Sequence, residues 1–162
     1  MSTLTALKKL SDITAFQWGM FTAAQAERVG VSRIELSRLA SNMHTVRLRH
    51  GVYRMISSPS DELEELKSIW LSLLPGQFAY ERLDGLETDY IVSGRTAAIL
   101  HEITDYRLDI FEFSHKGRRQ SRNIHVKFKN AQISPTDIVI LNGLPVTSKT
   151  RTIYDLKKAH EE

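Results

Sequence analysis

The pattern of apolar and polar residues in the first part of the chain predicts three helices. Leucines recur on one face of an amphipathic helix over residues 4–18, at positions 4, 7 and 10. A second, short helix begins where Thr22 and Gln25 have the spacing of a capping box. Gly30 suits the C-terminal end of this helix because glycine adopts a left-handed backbone without strain.

The third predicted helix repeats the same arrangement. Ser32 and Glu35 have the spacing of a second capping box, and an apolar face follows at helical intervals. The residues of this face are Leu36, Leu39, Ala40 and Met43. Two short helices joined by a turn that contains glycine are typical of a helix-turn-helix, although a helical hairpin in any α-rich domain has the same pattern.

The stretch VRLRHGVYR, residues 46–54, alternates apolar and basic residues around a central His-Gly pair, which predicts a tight β-hairpin. The basic side of this hairpin is formed by Arg47, Arg49, His50 and Arg54. A helix-turn-helix followed by a basic hairpin is a winged helix, whose second helix enters the major groove of DNA while the hairpin, or wing, contacts phosphates or the minor groove. Residues 1–57 are therefore predicted to be a winged helix-turn-helix DNA-binding domain.

Residues 58–162 predict a second domain of mixed helices and strands. Ser58 is predicted to cap a helix with Pro59 in its first turn, and an acidic loop is predicted over residues 81–89. The segments 108–114 and 123–129 have β-type composition and are predicted to form a hairpin. A second hairpin is predicted around the Asn-Gly pair at 142–143, and a final helix capped by Ser148 follows it. The fold class is therefore α+β.

Charge is distributed unevenly along the chain. Residues 1–57 carry eight lysines and arginines against three acids, residues 58–94 are strongly acidic, and residues 95–132 are basic again. The second basic region centres on the loop HKGRRQSR, whose cations are Lys116, Arg118, Arg119 and Arg122. Two basic regions separated by an acidic one indicate an anionic partner that is contacted at two places, and we predict this loop to be a further DNA contact.

Residues that would support catalysis or metal binding are scarce. The chain has no cysteine, which excludes disulfides and thiolate zinc sites and favours a cytoplasmic protein, and it has no apolar run long enough to cross a membrane. The six histidines have no metal-ligand spacing, and no phosphate-binding loop or nucleophile motif is present. Asp109 and Glu112 are the only remaining acids of a nuclease-like kind. We therefore expect no enzymatic activity, no metal and no cofactor.

Four motifs in series resemble one family. The runs FTAAQAERVGVSRIELSRL, VRLRHGVYR, VSGRTAAILHEI and LPVTSKTRTIYDL are similar, in this order, to the AbiEi-type antitoxins. These proteins are the regulators of type IV toxin–antitoxin and abortive-infection pairs in bacteria. The resemblance implies a winged-helix DNA-binding domain, an α+β antitoxin domain, and repression of the protein's own operon through inverted repeats. It also implies a nucleotidyltransferase-like toxin whose effect is countered without a stable complex.

The resemblance also assigns roles to particular residues. DNA contacts are expected from Ser32, Arg33, Ser37 and Arg38 in the second helix of the helix-turn-helix, and from Arg47, Arg49 and Arg54 in the wing. A further family signature matches Arg151, Thr152, Asp155 and Leu156, which we interpret as a capped helix with an internal ion pair. Family members usually continue past this signature with further helices, which leaves open whether residues 58–162 form the whole antitoxin-type domain.

Two other functions fit parts of the sequence. A winged helix can also dock a partner protein, although an Arg-rich wing favours nucleic acid over an apolar interface. A degenerate nuclease, with Asp109 and Glu112 as remnants of its site, is the second alternative.

Overall fold

The computed structural model describes residues 1–161, which form two compact units. The first unit spans Met1–Arg82 and the second begins at Leu83. Each unit combines helices with a β-sheet, so the predicted α+β class is confirmed.

The first unit contains five helices and a three-stranded antiparallel sheet. In chain order these are α1 (Thr3–Thr14), β1 (Met20–Thr22), α2 (Ala23–Arg28), α3 (Arg33–Ser41), β2 (Thr45–Arg49), β3 (Val52–Met55), α4 (Glu64–Leu73) and α5 (Ala79–Leu83). The sheet has the strand order β1-β3-β2. The predicted helix-turn-helix and hairpin are confirmed as α2, α3, β2 and β3, whereas β1 was not predicted because three residues are too few to show an alternating pattern.

A compact apolar core holds the helix-turn-helix against α1 and the sheet. Its buried members are Ala6, Leu10, Phe21, Ala26, Val31, Leu36, Leu39 and Met55. Two residues predicted on buried faces are instead exposed, Leu4 by 78% and Met43 by 73%. In α1 the buried face is set by Ala6 and Leu10, and Met43 lies beyond the end of α3 with a left-handed backbone (φ 63°), so helical spacing no longer applies to it.

The helix predicted to begin after Ser58 begins later, at Glu64. Asp61 explains part of the difference, since its carboxylate accepts a hydrogen bond from the backbone N–H of Leu63 (2.8 Å) and holds a turn before the helix. The predicted cap at Ser58 is therefore wrong. Helix α4 is buried on nearly all sides and packs against all three strands of the sheet. The first compact unit consequently extends past the predicted boundary after residue 57.

The second unit is built on a five-stranded mixed sheet with the order β6-β5-β4-β8-β7. Its elements are β4 (Ile91–Val92), α6 (Gly94–Leu100), β5 (Phe111–His115), β6 (Val126–Asn130), β7 (Ile138–Leu141), β8 (Leu144–Thr147) and α7 (Lys149–Glu161), with short 3₁₀ helices at Leu86–Thr88 and Pro135–Asp137. The segment predicted as an acidic loop is thus partly helical, in α5 and the first 3₁₀ helix.

One of the two predicted hairpins forms, and the other does not. Strands β7 and β8 pair in antiparallel fashion around Asn142 and Gly143, which both have positive φ (53° and 81°), as a two-residue hairpin turn requires. Strands β5 and β6 are parallel, so the predicted hairpin between them is wrong. Residues 116–125 therefore form a crossover loop that returns the chain to the start of the next strand. Alternation of residue types does not specify strand direction.

The final helix matches its sequence signature. The Ser148 hydroxyl accepts a hydrogen bond from the backbone N–H of Arg151 (3.2 Å) and caps α7. The Arg151 guanidinium donates to Asp155 (2.8 Å) and to Asp137 (3.1 Å), which confirms the predicted internal ion pair and adds an acid from outside the helix. These bonds, the one to Asp155 above all, raise the pKa of Arg151.

Candidate nucleic-acid interface

Helix α3 presents one polar face to the surface of the first unit. The Ser32 hydroxyl caps the helix by accepting a hydrogen bond from the backbone N–H of Glu35 (3.2 Å), but no bond returns from the Glu35 carboxylate, so only half of the predicted capping box forms. Leu36 and Leu39 are buried and fix the orientation of the helix. The exposed residues on and beside its opposite face are Ser32, Arg33, Ile34, Ser37, Arg38 and Ser41.

The hairpin of β2 and β3 forms the wing. Arg47 is exposed, and its guanidinium lies 3.2 Å from Nδ1 of His50 at the turn. Arg49 is half-buried, and this burial lowers the pKa of Arg49, while the negative charge of Glu65 acts in the opposite direction. An arginine remains charged at neutral pH despite such a shift. Arg49 is therefore a partly desolvated cation, which an incoming phosphate would stabilise.

Arg54 has a different role from the other wing arginines. Its Nε donates a hydrogen bond to the Glu64 carboxylate (2.7 Å), and its Nη1 donates to the carbonyl oxygen of Ser58. The Arg54 side chain is only 13% exposed. This geometry does not support the predicted DNA contact. It assigns Arg54 to the packing of the wing against the start of α4.

The remaining arginines of this surface form no ion pair with the acids of residues 1–160, although the charge of Glu65 acts on Arg49. Among the side chains of residues 1–160, the guanidinium groups of Arg33, Arg38 and Arg49 make no hydrogen bond or ion pair, and the hydrogen bond of Arg47 is to His50. Arg28, on the neighbouring helix, provides the contrast, because it is paired with Glu81. Unpaired guanidinium groups are available for bidentate contacts with guanine or phosphate.

The second basic region lies in the crossover loop and on β6. Lys116, Arg118 and Arg122 are exposed, as the sequence predicts for a ligand-contacting loop. Arg119 instead anchors the loop, since its Nη1 donates to the Tyr90 hydroxyl (2.6 Å) and its guanidinium lies 5.1 Å from the centre of the Tyr90 ring. The exposed lysines of β6, Lys127 and Lys129, extend the positive surface along an edge strand.

Sequence reasoning did not identify Ile34 as a residue of the interface. Its side chain is 69% exposed in the first turn of α3. The signal was present in the spacing, because Ile34, Ser37, Arg38 and Ser41 follow the i, i+3, i+4, i+7 pattern of a single helical stripe. The interpretation of that stripe as polar placed the isoleucine outside it.

The acids considered for nuclease chemistry are engaged elsewhere or dispersed. The Glu112 carboxylate accepts a hydrogen bond from the backbone N–H of Arg95 (2.8 Å) and thereby caps α6. Asp109 lies in the exposed segment before β5. In the part of the chain whose side chains are described, residues 1–160, no group of three or more histidine, aspartate or glutamate side chains is placed to hold a metal ion. Over the same residues, the helices are too short or too polar to span a bilayer.

Comparison with known families gives a match within the first unit. Residues 8–56 match the family described as transcriptional regulator, AbiEi antitoxin. The matched span runs from within α1 to the end of β3 and so contains the whole helix-turn-helix and the wing. No curated protein matches the chain. The resemblance inferred from the sequence motifs is thus confirmed over residues 8–56, the span that contains Arg33, Arg38 and Arg49.

Proposed function

We propose that this chain, whose residues 8–56 match the AbiEi antitoxin transcriptional regulators, binds duplex DNA with α3 in the major groove and the wing along the phosphate backbone. Three guanidinium groups on these elements, those of Arg33, Arg38 and Arg49, are unpaired among the side chains of residues 1–160, and Arg47 is exposed; this observation carries the proposal. A structural role for these arginines would have left them paired, as Arg54 is.

We infer the biological role from the resemblance to the AbiEi antitoxins, and the match over residues 8–56 supports it. The chain represses the operon that encodes it, in the bacterial cytoplasm, by binding inverted repeats at the promoter. It also acts as the antitoxin of a nucleotidyltransferase-like toxin without forming a stable complex with it. A reporter fused to the region upstream of the gene should be repressed by the chain, and the neighbouring toxin gene should be tolerated by a bacterial host only when this chain is co-expressed.

The helix and the wing should contribute differently to binding. Arg33 and Arg38 suit bidentate contacts with guanine edges, each worth about 1–3 kcal/mol of discrimination. Arg47 and Arg49 suit phosphate contacts, which add affinity without sequence preference. Arg33→Ala should therefore relax the preference at particular base pairs, whereas Arg49→Ala should weaken binding to operator and random DNA by the same factor, as measured by fluorescence anisotropy.

Arg54→Gln is a matched control on the same hairpin. Removal of a phosphate contact lowers the slope of log affinity against log salt by about 0.9. Arg47→Gln should show this decrease. Arg54→Gln should leave the slope unchanged and lower stability instead, because its guanidinium binds Glu64. Equal loss of operator and random-DNA affinity in Arg33→Ala and Arg49→Ala would refute the division between helix and wing.

The crossover loop is proposed as a second DNA contact. Its three exposed cations, Lys116, Arg118 and Arg122, have no acidic partner among the side chains of residues 1–160. Their joint replacement with glutamine should make the salt slope shallower by about two or more units if each meets a phosphate. Replacement of Lys8 and Lys9, on α1 of the first unit, with glutamine is the control and should leave the salt slope unchanged. An unchanged slope in the loop variant would confine DNA binding to the first unit.

A further inference from the structure

The exposed isoleucine of α3 has no structural explanation within its own unit. Ile34 lies 69% exposed, whereas the core of the unit is filled by Leu36 and Leu39 from the same helix. An exposed β-branched residue gains nothing from packing and is a weaker helix former than alanine or lysine. The helix would be at least as stable with a polar residue here, so the isoleucine points to a function on the outer face.

The surroundings of Ile34 indicate what kind of group it contacts. Its stripe continues with Ser37, Arg38 and Ser41, all exposed, and Arg33 precedes it. A protein-docking surface would require a contiguous apolar patch of several side chains. Within this stripe, one branched apolar side chain among arginines and serines instead matches a ligand that is mostly polar and anionic but carries one small apolar group.

Major-groove DNA has this character. Every base edge there carries hydrogen-bonding groups, and thymine alone adds a C5 methyl group, which proteins recognise by apolar contact. Residues in the first turn of a recognition helix are the ones that reach base edges. The β-branch also restricts the side-chain rotamer of Ile34 in a helix, so its methyl groups are held in one orientation before binding.

We infer that Ile34 determines part of the sequence specificity by packing against the C5 methyl group of a thymine, between bases contacted by Arg33 and Arg38. This inference rests on the proposed DNA-binding function. It adds an A·T preference at one position of the site to the guanine contacts expected from the arginines.

The test removes only the methyl group. A duplex is first selected by the full chain from a random pool, and each thymidine in it is then replaced singly by deoxyuridine, which keeps every hydrogen bond. Burial of one methyl group is worth about a fourfold change in affinity. The wild-type protein should lose about this factor at one thymine in each half-site and lose little at the other thymines.

Variants of the protein assign the effect to Ile34. Ile34→Ala should bind the thymine and uracil duplexes equally, whereas Ile34→Val, which keeps the β-branch, should retain a preference for thymine. Leu4→Ala is the matched control, because Leu4 is 78% exposed on α1 of the same unit and should leave the thymine-to-uracil ratio unchanged. Circular dichroism checks that each variant is folded.

The outcomes separate this inference from the proposed function. If the chain selects a duplex but tolerates uracil at every position, or if Ile34→Ala keeps the wild-type thymine-to-uracil ratio, the methyl contact is refuted and DNA binding stands. If no duplex is selected and random DNA is not bound, the proposed function fails and the methyl contact fails with it.

Discussion

Two buried glutamines, Gln17 and Gln25, connect the helix-turn-helix by hydrogen bonds to residues 77–79, just before and at the start of α5. Gln25, on α2, is fully buried, and its Oε1 accepts hydrogen bonds from the backbone N–H of Thr22 (3.0 Å) and from Nε2 of Gln17 (2.6 Å). Its Nε2 donates to the carbonyl oxygen of Gln77 (2.8 Å). Gln17 Oε1 in turn accepts from the backbone N–H of Ala79 (3.1 Å). Replacement of Gln25 with alanine therefore opens a network between α2 and the segment leading into α5.

The size of the effect can be worked out from the groups that lose a partner. In Gln25→Ala the Thr22 N–H and one of the two Gln17 Nε2 hydrogens lose their acceptor, whereas Gln17 Nε2 keeps its bond to the carbonyl oxygen of Met20 (2.8 Å). Each unsatisfied buried donor costs about 1–3 kcal/mol. The Gln77 carbonyl belongs to an exposed residue and can bind water instead, so its loss costs little. Partial relaxation around the smaller side chain reduces the sum. We expect the first unit to lose about 2–4 kcal/mol of unfolding free energy.

Urea titration followed by tryptophan fluorescence measures this loss in the right unit. The chain has two tryptophans, Trp18 and Trp70, and both lie in the first unit. With a slope of about 2 kcal/mol per molar urea, the midpoint should fall by about 1–2 M. Gln120→Ala, which changes an exposed glutamine of the crossover loop, should shift the midpoint by less than about 0.3 M. A Gln25→Ala midpoint that shifts by less than about 0.3 M would refute the stabilising role of the buried hydrogen-bond network.

Two further predictions concern a close backbone approach and an ion pair. Gly94→Ala should destabilise the second unit by more than about 2 kcal/mol in a thermal melt. The added Cβ would lie 1.8 Å from the Glu112 carboxylate, at a position with φ +60°. The control is Gly117→Ala, whose Cβ meets no atom within 4 Å and which should cost only the backbone strain of its positive φ. The hydrogen bond from Arg28 lowers the pKa of Glu81 in the folded chain below its value in the unfolded chain. The ion pair therefore stabilises the fold at pH values above the glutamate pKa of the unfolded chain. This stabilisation is lost as the pH falls through the pKa of Glu81 in the folded chain. Glu81→Gln should therefore flatten the acid limb of stability against pH, and an unchanged limb would contradict this assignment.

Much of the architecture of both units is encoded over a few residues. The capping box of Thr22 and Gln25, the wing turn at Gly51 and the hairpin at Asn142 and Gly143 all form as the sequence predicts. Each depends on a backbone angle or a hydrogen bond within one turn of chain, so residue type alone is informative. The elements that carry the candidate interface were predictable for the same reason, because two capped helices followed by an arginine-rich hairpin are typical of a winged helix.

The partners of particular side chains were decided only by the tertiary structure. The parallel pairing of β5 and β6, the added strand β1 and the extension of the first unit through α4 depend on which distant segment each element meets. The same holds for the interface, where Arg54 is bound to Glu64 and Ile34 is left on the outer face of α3. The residue sequence specifies which side chains are basic or apolar, but a charge is free or paired, and a methyl group buried or exposed, only through neighbours that the folded chain brings from far along the sequence.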